Sequence, residues 1–345
     1  MPAFFQGRVV AVLDRGFYGL NGAGTVIAVG DESWPPGPLA VRIPLLPEPA
    51  RDGRGDPTGT ARGHRAGRSG RGLPGGGRSG DGWRRLVAPG QRVLWDARTG
   101  VLAVAGRVWV AFDPRELRRW HPPRGRRFAA GGEVVRVARV LGHLLAVARS
   151  PGWLPFRDRV ERLVRAAEAG DWATACGAAD HLLGAGPGLT PSGDDWLAGF
   201  AAYWAAWLES GRPAPGARAF HRWCAYVAGR APLRTTPVGA AFLLPALAGQ
   251  LPEPAASLLA ALLSGEAGAV PGLARRLFRA GHHSGVDTAW GLWMAARSLG
   301  PGCGRHPGDG NGGLCRVHTC DGSTGSRGLP CAGVPKERGA ATGNL

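Results

Sequence analysis

The spacing of hydrophobic and polar positions changes once along the chain, from the alternation typical of strands to the period typical of helices. Short alternating or apolar stretches bounded by turn residues predict strands at 8–13, 24–29, 39–43, 91–95, 101–105 and 108–112. From residue 156 onward, apolar residues recur at helical spacing and predict helices at 156–170, 171–183, 195–208, 217–229, 237–249, 254–264, 270–280 and 285–299. The predicted class is α+β, a small antiparallel β domain at the N-terminus followed by an all-helical C-terminal body.

Segments rich in glycine, proline and arginine separate these parts. Residues 51–82 contain 12 glycines and almost no large apolar side chain, so they cannot bury enough surface to offset the entropy lost on ordering. We therefore expect a β domain formed by 1–50 and 83–112 that is interrupted by a disordered Arg/Gly-rich insertion. The remaining segments are interpreted as a connector at 113–152, a helical domain with the candidate site at 153–300, and a disordered Gly/Pro/Cys-rich tail at 301–345.

The net charge of +17 is concentrated in the segments outside the predicted helical domain. Residues 51–85 carry nine arginines against three aspartates, and residues 115–127 carry six arginines against one glutamate. The apolar run at 196–208 is shorter than the roughly 20 residues that a membrane span requires. The N-terminus has no long apolar leader, and six cysteines do not make a disulfide scaffold. We expect a cytoplasmic protein without a membrane segment.

The most informative stretch is the Gly-rich loop and helix start at 184–199, GAGPGLTPSGDDWLAG. A second stretch begins its helix 92 residues further on, GHHSGVDTAWG at 281–291, and repeats the spacing Ser-Gly-x-Asp-x-x-x-Gly. The paired positions are Ser192 and Ser284, Gly193 and Gly285, Asp195 and Asp287, and Gly199 and Gly291. Serine three residues before aspartate is typical of a capping box, and the free N–H groups of a helix start attract anions. We expect the two starts to converge on one anion-binding site; ordinary helix caps are the alternative.

The neighbouring carboxylates Asp194 and Asp195 would repel a bound anion unless each has a partner. We expect Asp195 to cap or orient the helix start, and Asp194 to face the solute or a cation. In each copy of the motif the glycine four residues after the aspartate lies on the same helical face, where it leaves room for a ligand or for a neighbouring helix.

Other polar residues of the helical region, at 234–236 and 282–283, complete the candidate site. Arg234 is suited to clamp a carboxylate or phosphate with two hydrogen bonds, and the two threonines after it carry hydroxyl donors. Either histidine of the pair at 282–283 is suited to move a proton near neutral pH. A plain cap region and a solvated histidine pair are the alternatives.

At these residues the chain resembles a known family. GAGPGLTPSGDDWLAG, Arg234-Thr235-Thr236 and GHHSGVDTAWG are similar, in order and spacing, to the bacterial AllH-like family, one member of which is a subunit of oxamate carbamoyltransferase in anaerobic allantoin catabolism. The resemblance covers 85–300 well and 1–50 loosely. It implies transfer of a carbamoyl group between oxalurate and phosphate, giving oxamate and carbamoyl phosphate, by a multi-subunit enzyme.

Residue chemistry, and not the resemblance, assigns the individual roles. The predicted catalytic residues are Asp194, Asp195 and His283. The predicted substrate-binding residues are Gly186, Gly188, Thr190, Ser192, Gly193, Arg234, Thr235, Thr236, Ser284, Gly285 and Asp287. We predict no cofactor, although Mg²⁺ is compatible with the acidic pair. The expected partners are a small anionic substrate, phosphate and other carbamoyltransferase subunits.

Three other functions compete with this one. A non-catalytic scaffold subunit of the same complex is the nearest alternative. Nucleic-acid binding through the arginines of 51–85 and 115–127 is disfavoured because the loop at 51–85 has only Trp83, at its edge, as an aromatic residue, and because no recognised nucleic-acid-binding module is present. A zinc site in the tail is disfavoured because its cysteines show no Cys-x2-Cys pairing.

Overall fold

Within residues 3–43, 82–111, 115, 120–123, 128–129 and 131–299, which the computed structural model describes, the strands form one sheet of seven. The strands are β1 Phe4–Leu13, β2 Gly16–Leu20, β3 Val26–Gly30, β4 Ala40–Arg42, β5 Arg92–Asp96, β6 Val101–Val104 and β7 Arg107–Ala111. Their order is β4-β3-β2-β1-β5-β6-β7. All neighbours are antiparallel except β3 and β4, which are parallel and depart from the antiparallel pattern predicted.

Strand β2 is absent from the sequence prediction. Phe17 and Tyr18 are both buried, so the strand has no polar face to produce alternation. Two glycines in five residues also read as a turn. The structure needs Gly16 there, because a Cβ atom on it would lie 2.1 Å from the carbonyl oxygen of Val29 on β3.

The two faces of the sheet pack against different parts of the protein. One face holds a core of its own, built from Phe5, Phe17, Ile27, Trp83, Val93 and Trp95 among others. The other face packs Tyr18, Val26 and Ala28 against Val238 and Phe242 of the helical body. Tyr18 therefore lies where the sheet meets the helices.

The second part of the chain is helical, and the α+β class is confirmed. The described helices are α1 Gly82–Leu86, α2 Gly131–Ala146, α3 Arg157–Glu168, α4 Trp172–Asp180, α5 Ser192–Glu209, α6 Ala217–Arg234, α7 Pro237–Ala246, α8 Glu253–Ser264, α9 Val270–Phe278 and α10 Ser284–Leu299. Helices α5 and α10 pack along each other at the centre, and nearly all of α5 up to Trp204 is buried. None of these helices is long and apolar enough to cross a membrane.

Helix α2 lies inside the segment predicted as a connector. It packs against α8, α9 and α10, and Trp293 of α10 donates a hydrogen bond to the carbonyl of Ala138 (2.9 Å). Its apolar residues Val134, Val137, Leu141 and Leu145 are buried and recur at helical spacing, so the signal was present in the sequence. Residues 51–81 of the predicted insertion, most of the arginine cluster at 115–127 and the tail at 301–345 lie outside the described residues. Gly82, the last residue predicted for the insertion, is the first residue of α1.

Candidate active site

The two Ser-Gly-x-Asp motifs form the same local structure. Each serine is the first residue of its helix, and the glycine after it lies against the main chain at or just after the C-terminal end of the preceding helix. A Cβ atom on Gly193 would lie 2.1 Å from the carbonyl of Leu182, and one on Gly285 would lie 1.8 Å from the carbonyl of Leu277. Main chain occupies the space beside both glycines, so both are required for close packing. Gly285 also lines the cavity described below, and the substrate contact predicted for the two glycines stays a prediction.

The two motifs converge, with each serine beside the aspartate of the other motif. The Ser284 hydroxyl interacts with the Asp195 carboxyl, and the Ser192 hydroxyl interacts with the Asp287 carboxyl. Thr190, in the loop before α5, places its Oγ1 2.9 Å from Oγ of Ser284. The structure therefore brings together the two helix starts that the sequence pattern paired.

Asp195 lies at this crossing with its carboxyl nearly removed from water. The residue is 8% exposed, and Oδ2 is buried without a hydrogen-bond partner among the described residues. Burial raises the pKa of Asp195 well above its ordinary value, the charges of Asp287 and Asp194 raise it further, and the hydroxyls of Ser284 and Thr190 oppose the rise. Asp195 does not cap α5, because Pro191 is the N-cap and no side chain caps it, whereas the other half of the prediction, that Asp195 orients the helix start, stays a prediction.

Asp287 is covered by the chain segment that precedes α3. The residue is fully buried, and its Oδ1 accepts hydrogen bonds from the amides of Gly152 (2.8 Å) and Trp153 (3.4 Å). Burial raises the pKa of Asp287 to about 6, against the opposing effects of the Ser192 hydroxyl, the two amides and Arg149. A Cβ atom on Gly152 would lie only 2.1 Å from Oγ of Ser192, so only glycine fits without displacing this hydroxyl.

Asp194 holds the framework together and does not line the cavity, contrary to the expectation that it faces the solute. Its Oδ1 accepts a hydrogen bond from the amide of Gly184 (2.9 Å), and its Oδ2 accepts one from the hydroxyl of Thr235. Burial raises the pKa of Asp194 to about 6, and these two hydrogen bonds oppose the rise. The carboxyl thereby ties the end of α4, the start of α5 and the corner between α6 and α7.

The corner at 234–236 is hydrogen-bonded to the Gly-rich loop through Thr236, and the guanidinium of Arg234, predicted as an anion clamp, pairs with Asp180 and does not line the cavity. The Arg234 guanidinium lies 3.5 Å from Oδ2 of Asp180 and donates a hydrogen bond to the Asp180 carbonyl (3.3 Å). Thr236 caps α7 by accepting a hydrogen bond from the amide of Gly239 (2.9 Å), and its hydroxyl donates to the carbonyl of Leu189. None of the three residues lines the cavity.

The Gly-rich loop requires left-handed backbone at three positions. Gly184, Gly186 and Gly188 have φ of 72°, 110° and 99°. Gly186 faces the start of α5, where a Cβ atom would lie 3.0 Å from the amide nitrogen of Ser192. Gly188 has open space beside it and lines the cavity, so it is the loop glycine best placed for close approach of a ligand.

A cavity of about 1470 Å³ lies between the sheet and the helical body, and the converging motifs form part of its wall. Its polar lining near the two motifs includes Thr190, Ser192, Asp195, His282, His283, Ser284 and Thr288. The rings of the two histidines are 4.2 Å apart at a steep angle, and Nδ1 of His283 is buried without a hydrogen-bond partner among the described residues. The predicted proton shuttle His283 therefore lies at the cavity.

Three arginines in the cavity wall have no carboxylate partner among the described residues, and one of them, Arg42, donates a hydrogen bond to the carbonyl of Glu32. Arg84 pairs with Asp14 (3.4 Å), and Arg276 pairs with Glu253 (2.7 Å). By contrast, Arg15 after β1 and Arg279 after α9 line the cavity without an ion pair to any residue that the structure describes. Their positive charge is available to a bound anion.

Sequence reasoning missed several residues of this wall. Tyr18 of β2 lines the cavity, and burial, followed by the charge of Asp195, raises the pKa of its phenol. It is held by edge contacts with Trp34 and Phe242. Gly152 belongs only to a short turn in the sequence, and no local pattern pointed to it. Among the described residues, no three His, Cys, Asp or Glu side chains are grouped to hold a metal ion, and the compatibility of the acidic pair with Mg²⁺ stays untested.

Together, the fold and the site define an α+β protein with an acid-containing cavity between a sheet and two converging helix starts. The family model of the oxamate carbamoyltransferase subunit AllH matches residues 182–296. This match includes both Ser-Gly-x-Asp motifs and the corner between α6 and α7, and it confirms the resemblance over those residues. No solved structure matches the chain.

Proposed function

We propose that the protein is a subunit of a carbamoyltransferase that acts on small anionic ureido or amide acids. A reaction of this type converts oxalurate and phosphate into oxamate and carbamoyl phosphate. The family match over 182–296 supports the class of enzyme. The observation that carries the binding mode is the convergence of the two helix starts on one cavity, where the Thr190 and Ser284 hydroxyls lie beside Asp195.

Arg15 and Arg279 supply the charge that an anionic substrate needs. A carboxylate or phosphate in a cavity is stabilised by cationic N–H donors, and a guanidinium binds either group through two parallel hydrogen bonds. These two arginines line the cavity from the sheet side and from the helical side. They take the role that sequence reasoning gave to Arg234, while the hydroxyl groups bind the amide part of the substrate.

The size of the cavity fits an enzyme of several subunits. Its volume of about 1470 Å³ exceeds the roughly 300–1,000 Å³ of a typical small-molecule site. An acid as small as oxamate leaves room for phosphate and for a segment of another subunit. This room supports the proposal that the other carbamoyltransferase subunits complete the site.

Binding measurements on three arginine variants test the binding mode. Titration calorimetry with oxamate, on the full chain alone and assembled with its co-purified subunits, should show that Arg15→Gln and Arg279→Gln each weaken binding roughly tenfold. Arg234→Gln is the matched control and should bind as the wild type does. Weaker binding by the Arg234 variant alone would contradict this placement of the anion.

An assay of the assembled complex tests the reaction. The complex should cleave oxalurate only when phosphate is present, and it should release oxamate and carbamoyl phosphate in equal amounts. A complex that binds oxamate but forms no carbamoyl phosphate from oxalurate would exclude this reaction and retain the anion site.

A further inference from the structure

The two motifs share a sequence pattern but expose their aspartates differently. The Asp287 carboxyl is closed off by the amides of Gly152 and Trp153, and Asp287 does not line the cavity. Asp195 lines the cavity, and no backbone amide of a described residue donates a hydrogen bond to its carboxyl. One copy of the motif therefore places its aspartate at the cavity wall, and the other copy fixes the framework.

The groups around Asp195 favour a carboxyl that keeps its proton. The ionisable groups that act on it are Asp194 from the same helix, Asp287 from α10 and Tyr18 from the sheet, none of which carries a positive charge. No ion pair reaches Asp195 from any described residue, and the histidines and arginines of the cavity wall do not hydrogen-bond to it. A buried carboxyl without a cation is stabilised in its neutral form.

We propose that Asp195 is the general acid of the site and donates its proton to the nitrogen atom that leaves as the carbamoyl group is transferred to phosphate. This inference rests on the proposed function. An amide nitrogen leaves poorly as an anion, so a positioned acid that protonates it lowers the barrier. The acid must face the substrate, and of the three buried aspartates at the helix starts only Asp195 lines the cavity.

The proton balance of the step is complete without a further reactant. An oxygen of hydrogen phosphate forms a bond to the ureido carbonyl carbon of oxalurate, and the bond from that carbon to the inner nitrogen breaks. The nitrogen keeps the bonding electrons and takes the Asp195 proton, which gives oxamate. The Asp195 carboxylate then recovers the proton that phosphate lost, so the acid is ready for the next turnover.

Infrared spectroscopy of the full chain tests the protonation of Asp195 without any substrate. At about pH 8 the Asp194 and Asp287 carboxyls, whose pKa is about 6, are ionised, whereas a protonated Asp195 retains its carboxylic C=O absorption. The difference spectrum between the wild type and Asp195→Asn should contain that band. The difference spectrum with the matched variant Asp287→Asn should lack it. Absence of the band from both spectra would show that Asp195 is ionised and would overturn the inference.

Kinetics of the assembled complex test the donation itself. Asp195→Asn should lower kcat for oxalurate cleavage by roughly 10²- to 10⁴-fold while oxamate affinity changes only a few-fold. The pH profile of the wild type should fall on the alkaline side as Asp195 loses its proton, and the variant should lack this fall. Asp287→Asn should act mainly on KM, because it alters the framework around Ser192.

The two proposals fail differently in these experiments. A wild-type complex that cleaves no oxalurate refutes the proposed reaction, and with it the donation step, whatever the infrared result. An active complex in which Asp195→Asn keeps the wild-type kcat and pH profile leaves the reaction standing and overturns the role of Asp195. That second outcome would make this chain a scaffold around a site whose acid comes from another subunit.

Discussion

Gly199 of α5 and Gly291 of α10 each face the main chain of the other helix. A Cβ atom on Gly199 would lie 2.1 Å from the carbonyl oxygen of Thr288, and one on Gly291 would lie 2.1 Å from that of Trp196. The glycine at the end of the repeated motif therefore sets the close approach of the two central helices. This approach brings each serine to the aspartate of the opposite motif.

Alanine at either glycine should destabilise the protein. Because the obstructing atoms are backbone, Gly199→Ala and Gly291→Ala must push the helices apart, and each should cost about 2–4 kcal/mol of unfolding free energy. Gly229→Ala is the control, since this exposed position of α6 has no atom within 4 Å of a built Cβ. It should leave stability unchanged or raise it by up to about 1 kcal/mol. Urea unfolding of the three variants measures the contrast, and equal effects at all three positions would refute the close approach.

Gly152 offers a test of the segment that covers Asp287. A methyl group at this position would displace the Ser192 hydroxyl and weaken the hydrogen bond from the Gly152 amide to Asp287. Gly152→Ala should therefore cost about 1–3 kcal/mol of unfolding free energy and also lower the affinity for oxamate. Gly132→Ala in α2, where a Cβ meets nothing within 4 Å, is the control for both measurements. Unaltered oxamate binding by Gly152→Ala would separate this segment from the site.

Periodicity predicted most of the secondary structure, and it failed where burial removed the pattern. The helices of the central pair follow from their spacing, although the predicted start of α5 at residue 195 lies three residues after the observed start, because Ser192 resembles a cap residue and is the first helical residue. The periodicity does not predict strand β2, because both faces of this strand are buried. The pairing of the two motifs was predictable because identical spacing at two helix starts produces the same local geometry.

The division of roles between neighbouring aspartates was not predictable from the sequence. Asp194 and Asp195 are adjacent, and which of them faces the cavity depends on the amide of Gly184 and the hydroxyl of Thr235, which come from separate loops. In the same way, Arg234 pairs with Asp180, which belongs to α4, and does not line the cavity. Contacts between distant segments decided both cases.

The hydroxyl of Thr235 should be required to hold Asp194. Thr235→Val keeps the shape of the side chain but removes the donor to Oδ2 of Asp194, so the buried carboxyl loses one of its two hydrogen bonds. We expect a loss of about 1–3 kcal/mol of unfolding free energy. Thr235→Ser retains the donor and should recover most of this loss. Urea unfolding at neutral pH measures both variants, and equal stability of the two would show that the hydrogen bond contributes nothing.

The raised pKa values of Asp194 and Asp287 predict how stability depends on pH. Both rise from 3.8 to about 6, so between these values the folded state binds more protons than the unfolded state, and the unfolding free energy falls as the pH rises through this window. The change amounts to roughly 3 kcal/mol for each residue. A neutral asparagine avoids this loss, so Asp287→Asn should gain about 3 kcal/mol relative to the wild type between about pH 4 and pH 8.

Asp171 provides a control of opposite sign for this measurement. This exposed N-cap of α4 accepts a hydrogen bond from the amide of Thr174 (3.0 Å), and its hydrogen bonds with Thr174 hold its pKa below the ordinary value. Its ionised form therefore stabilises the folded state above the unfolded pKa, and this contribution is lost as the pH falls through the lower folded pKa. Asp171→Asn should accordingly lose stability relative to the wild type as the pH rises, whereas Asp287→Asn gains. Urea unfolding across the pH series measures both differences, and a pH-independent gap for Asp287→Asn would mean that its carboxyl is not held against ionisation.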